Sequence, residues 1–68
     1  MASKMEMARG RFEKWLDSQK DYPLGVAKDA GVSAEAVRRW RRDGAWPSME
    51  SGLRLAAKRG LDLNALLT

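Results

Sequence analysis

Four arginines, Arg38, Arg39, Arg41 and Arg42, fall within five positions, and no other stretch of the chain carries charge so densely. Guanidinium is a planar fork of N–H donors that stays protonated at every physiological pH. The chemistry such a cluster offers is therefore recognition of anions or of the acceptor edge of a base. Thirteen Lys and Arg against nine Asp and Glu leave a net charge of +4, which favours a polyanionic partner without naming one. Cys and His are both absent, which removes disulfides, thiolate metal sites, the commonest metal ligand and the commonest general base. The carboxylates are spread over helix surfaces and form no nucleophile–base pair or metal cluster. No enzyme, catalytic residue, metal or cofactor is expected.

The arginine cluster has two readings: an anion-binding face, or a solvated helix C-terminus where cations meet the macrodipole. The choice turns on which way the side chains point, and so on the helices that carry them. The 68 residues suffice for one domain, 1–68. At this size, without staples, short helices with local contacts are expected. Nothing approaches 18 consecutive apolar residues, and Lys4 and Glu6 break up Met1–Met7, which lacks the apolar stretch of a secretory signal. No membrane partner and a cytoplasmic location are the expectation. There is no low-complexity run, repeat or linker.

Ser3 with Glu6 forms a capping box for a first helix, in which Met5, Ala8, Phe12, Trp15, Leu16 and Gln19 share one face. Asp21-Tyr22-Pro23 ends it; Asp21 suits an N-cap and Pro23 suits only a first turn. The second helix covers Leu24–Ala30 and stops at Gly31. Ser33 caps a third that runs to about Asp43, with Gly44 beyond. After a loop through Trp46 and Pro47, Ser48 caps a fourth helix over Met49–Arg59, which Gly60 ends. Asp62 caps a last short turn bearing Leu63, Leu66 and Leu67. With no strand candidate, the fold class is all-α, a compact domain of four to five helices.

Trp15 and Trp40 read as core, and Trp46 as packed on the third helix. In the fourth, Met49, Leu53, Ala56 and Ala57 share a face, and Leu55 points away from it. Leu55 is expected to be buried on a second side by the first or last helix. The alternative places it with Leu63, Leu66 and Leu67 in an exposed self-association patch.

Segment 23–42 meets the demands of a DNA-binding-type helix-turn-helix. Two steeply crossed helices need a small contact residue, Ala27. The turn needs a residue that tolerates positive φ four positions later, Gly31, and an apolar plug, Val32. The next helix needs inward apolar residues three apart, Val37 and Trp40. At about 100° per residue, Glu35, Arg38, Arg39 and Arg42 then point outward, with Ala34 and Arg41 on the shoulders.

Val26-Ala27, Gly31-Val32-Ser33, Val37 and Trp40, followed by Gly44, Trp46-Pro47-Ser48, Leu55-Ala56 and Gly60-Leu61, resemble the lambda-repressor/Cro-like helix-turn-helix family of phage and bacterial transcription regulators. The likeness covers roughly Leu24 to Leu67. It implies that Ser33–Arg42 is a recognition helix with Ala34, Glu35, Arg38 and Arg39 facing the bases. It also implies that the start of the second helix meets phosphate. Three residues depart from the family pattern. Pro23 stands where a phosphate-binding Gln is frequent, Glu35 carries a negative charge to the tip, and Arg59 replaces a usual core leucine.

The function expected from this resemblance is a small DNA-binding transcription regulator, of the phage or bacterial repressor type, that inserts helix 33–43 into the major groove. Arg38 and Arg39 are expected on base edges, and Lys28, Arg41 and Arg42 on phosphate. Arg41, which borders the core, can instead lay its stem over Trp40 or Trp46. Lys4, Arg9 and Arg11 can form an N-terminal arm, the latter two ordered by the first helix. One such domain buries roughly 600–1,000 Å² on DNA and binds weakly alone. No separate dimerisation domain is expected, so a weak homodimer would use Leu63, Leu66 and Leu67. The alternative is an interaction protein of the same fold that grips the transcription machinery, such as RNA polymerase, or a toxin partner. Pro23 and Glu35 favour it.

Overall fold

The computed structural model describes residues 4–67, and the surroundings of the side chains from 6 to 65. Ser3 and the side chains of Lys4, Met5, Leu66 and Leu67 lie outside the described residues, and with them the first cap and most of the leucine patch. Five helices follow one another among the described residues: α1 Lys4–Ser18, α2 Leu24–Ala30, α3 Ala34–Arg42, α4 Met49–Arg59 and α5 Leu63–Leu67. There is no strand among them. The Cα radius of gyration is 11.2 Å, close to the value of about 11 Å for a compact chain of this length.

The helix boundaries follow from local chemistry. Ser33 and Ser48 stand in extended conformation before α3 and α4, each accepting a hydrogen bond from the amide three residues on, Ala36 and Ser51 respectively. Gly31 and Gly60 close α2 and α4 in the left-handed region, at φ 75° and 70°, where a Cβ would be strained. Asp62 Oδ1 accepts from the Ala65 amide at 3.1 Å and so caps α5. The start of α2 differs from expectation. Pro23 is the N-cap residue and no side chain caps it. Asp21 contributes only its main-chain oxygen, to Gly25 N at 2.8 Å, because its carboxylate is engaged by Arg59.

Around one core, α1 packs on α5 and α3, and α2 packs on α3 and α4. Phe12 and Leu16 of α1, Val26 of α2, Val37 of α3 and Leu55 of α4 are fully buried, joined by Ala27, Ala30, Trp40 and Leu61. Trp15 is only half-buried at the edge of this cluster. Trp46 departs from expectation in its partner: its ring stacks on Phe12 of α1, with centroids 5.2 Å apart, rather than on α3.

The face of α4 is also inverted. Met49 and Leu53 are 83% and 56% exposed, and the buried face is Ser51, Gly52 and Leu55. The physical reason is close approach of neighbours. Ser51 Oγ donates to Ala30 O of α2 at 3.0 Å, and a Cβ built on Gly52 would already touch the Leu63 side chain at 4.0 Å. Ser51 is held against α2 by this bond, and Leu55 fills the core on the same side.

Candidate nucleic-acid interface

The turn before α3 is held by its own backbone. Gly31 N–H reaches Lys28 O at 3.3 Å and Val32 N–H reaches Ala27 O at 3.0 Å. Burial of Val37 and Trp40 then fixes the rotation of α3 about its axis. With those two inward, Glu35, Arg38, Arg39 and Arg42 are all exposed, as the helical period requires. Ala34 and Arg41 are half-buried on the shoulders. Lys28, on α2, is exposed.

The arginines divide by what holds them. Arg41 turns towards α1: its Nε and Nη2 donate to the Asp17 carboxylate at 2.8 and 3.1 Å, and Nη1 reaches Glu13 at 3.4 Å. Hydrogen bonding to Asp17 raises the Arg41 pKa, and the same bond holds the Asp17 carboxyl below its usual range. The guanidinium over Trp46 belongs to Arg9, at 5.2 Å from the ring centroid. Arg9 also pairs with Glu13 at 2.7 Å and donates to Ala45 O at 2.6 Å. It is a strut between α1 and the 44–48 loop rather than part of a free arm. Arg54 pairs with Glu50 at 3.0 Å.

On the outward face of α3 the situation differs. Arg38 lies 3.5 Å from Glu35, with both side chains about half exposed. Arg39, Arg42 and Lys28 make no ion pair among the described residues. The structure thus brings Glu35, Arg38, Arg39 and Arg42 together, with Ala34 at their edge, and sets Arg41 apart.

Two features are absent from the sequence reading. Arg59, whose side chain is only 16% exposed, gathers three partners from distant segments. Its Nε donates to Asp29 at 2.7 Å, Nη1 to Gln19 at 3.0 Å and to Asp21 at 2.8 Å, and Nη2 to Asp21 at 2.6 Å. The hydrogen bond from Arg59 holds the Asp21 carboxyl below the usual aspartate range. Gly25 makes room for this arrangement, since a Cβ there would collide with the Asp21 side chain. The departure of Arg59 from a leucine pattern is thereby accounted for: from α4 the residue is a polar clasp on α2 and on the connection between α1 and α2. The second feature is an open apolar cleft of about 360 Å³, lined by Phe12, Trp46, Pro47, Met49, Leu61 and Leu63.

No group of three His, Cys, Asp or Glu that could hold a metal occurs among the described residues. No described helix is long and apolar enough to cross a membrane. Comparison with known protein families, curated proteins and solved structures finds no match to this chain.

Proposed function

We propose that this protein is a small DNA-binding transcription regulator of the lambda-repressor-like helix-turn-helix type, with α3 entering the major groove. The observation that carries the reading is the contrast between arginines. Arg9, Arg41, Arg54 and Arg59 are each taken up by carboxylates, whereas Arg39 and Arg42 stand exposed, without an ion pair among the described residues, on the face opposite Val37 and Trp40. Like charges three and four residues apart on a helix repel, which offsets what Arg39 and Arg42 gain from the helix C-terminus, and their exposed donors stay available to an outside anion.

A helix about 10–12 Å across fits a major groove about 12 Å wide. In that position Arg38 and Arg39 meet base edges, and Arg42 and Lys28 meet phosphate. Arg41 stays with Asp17 and steadies α3 against α1. Useful operator affinity asks for two such domains on half-sites about one helical turn apart. A second reading, docking on a protein of the transcription machinery, draws on the apolar cleft at whose edge Met49 stands exposed.

Titration of a labelled random-sequence duplex at low salt tests the proposal. The wild type is expected to bind and Arg39→Ala/Arg42→Ala to lose at least about tenfold, while Arg54→Ala, which removes an already paired charge, keeps its affinity. No binding by the wild type at low salt would overturn the DNA reading, and capture of polymerase subunits by the same preparation would establish the second.

A further inference from the structure

The outward face of α3 carries one carboxylate among its guanidinium groups, and a phosphate-binding surface gains nothing from it. Glu35 lies a turn before Arg38, with Oε2 3.5 Å from Nη1. The contact is long compared with the 2.7 Å of Arg59 to Asp29, and beyond the 2.7–2.9 Å or so of a strong charge-assisted hydrogen bond. Glu35 and Arg38 are 55% and 47% exposed. Each therefore keeps hydrogen-bonding capacity for a partner in front of the helix, and the pairing keeps the two groups side by side.

We propose that Glu35 and Arg38 act as one reading unit for a cytosine and a guanine in neighbouring base pairs, an inference that rests on the DNA reading above. The carboxylate accepts from the cytosine N4 amino group, and the guanidinium donates to guanine O6 and N7, the pairings these groups make in the major groove. The spacing suits the task, because successive bases stack about 3.4 Å apart and the two charged groups stand 3.5 Å apart. Glu35 also supplies the selectivity that an all-arginine face lacks. Guanine and thymine offer the carboxylate only acceptors there, and adenine sets its N7 acceptor beside its amino group, so against these bases the charge is repelled. Against cytosine, the carboxylate accepts a hydrogen bond instead. Arg42, which makes no ion pair among the described residues, meets phosphate and is indifferent to sequence by comparison.

Selection of bound duplexes from a random pool tests this, using wild type, Glu35→Gln and Arg38→Ala. Both substituted positions lie on an exposed face, and circular dichroism should show the same helix content in all three proteins. The wild type is expected to enrich one cytosine next to one guanine. Glu35→Gln should keep the guanine but exchange the cytosine for adenine, since an amide both donates to N7 and accepts from N6. Discrimination at that position should change by about 5- to 150-fold. Arg38→Ala should lose the guanine. Unchanged base preferences in Glu35→Gln overturn the reading unit. Binding by the wild type with no preference at either position also overturns it and leaves the DNA function standing. A chain that binds no duplex at low salt overturns both.

Discussion

Replacing Arg59 with alanine removes four hydrogen bonds to three residues that are 30 to 40 positions away in the chain. The cost can be bracketed from the surroundings. A fully exposed ion pair contributes under about 1 kcal/mol, and breaking a fully buried one costs about 3–5 kcal/mol. Arg59 is 16% exposed, but its partners Asp21 and Asp29 are 51% and 28% exposed and can rehydrate when abandoned. The expected loss is about 1–3 kcal/mol, or roughly 8–16 °C in Tm for the middle of that range. Urea unfolding followed by tryptophan fluorescence measures it.

The pH dependence sharpens the test. Hydrogen bonding to Arg59 depresses the Asp21 carboxyl in the folded state. Its contribution is therefore complete above the unfolded aspartate value of about 4, and is lost as the pH falls through the lower folded value. The stability gap between wild type and Arg59→Ala should be constant from pH 7 to about 5 and narrow in the acid range. Arg59→Ala as stable as wild type at pH 7, or a gap unchanged down to pH 2.5, would refute the clasp.

Three further substitutions probe separate parts of the fold. Leu55→Ala empties a fully buried site and should cost about 2–5 kcal/mol in chemical denaturation; a loss under about 1 kcal/mol would mean that Leu55 is not core. Gly31→Ala places a Cβ at φ 75°, 3.1 Å from the Arg54 guanidinium, and should lower stability by about 1–2 kcal/mol; a neutral effect in the same assay would contradict the left-handed cap. Arg41→Ala should lower the unfolding midpoint measurably yet reduce DNA affinity far less than Arg42→Ala, and equal losses in a duplex titration would return Arg41 to the phosphate set.

The parts of this structure legible in the sequence are those written in local chemistry. Ser33, Ser48, Gly31 and Gly60 each mark a helix end through a bond to a backbone group within a few residues, so α2 and α4 end where they were expected to, and α3 stops one residue short. The rotation of α3 was legible for the same reason, since Val37 and Trp40 define one apolar stripe.

What escaped depends on partners far along the chain. On α4, counting apolar residues favours the side with Met49 and Leu53. The buried side carries Ser51, Gly52 and Leu55, and the groups that cover it, Ala30 of α2 and Leu63 of α5, lie outside the helix. Asp21 reads locally as a cap, but Arg59, 38 residues later, takes its carboxylate. The helical period sets Arg41 on the shoulder of α3 and Arg42 outward, but the carboxylates that hold Arg41, Asp17 and Glu13, lie on α1 and were not legible from α3 alone.

The central claim, that the outward face of α3 is the surface that meets DNA, is tested most directly by mapping amide chemical-shift changes as a short duplex is added at low salt. The account predicts that the largest changes fall on Ala34, Glu35, Arg38, Arg39 and Arg42, with Lys28 at the margin, and that they fade together as salt is raised. Changes centred instead on Phe12, Trp46, Met49 and Leu63, or none at all, would contradict it.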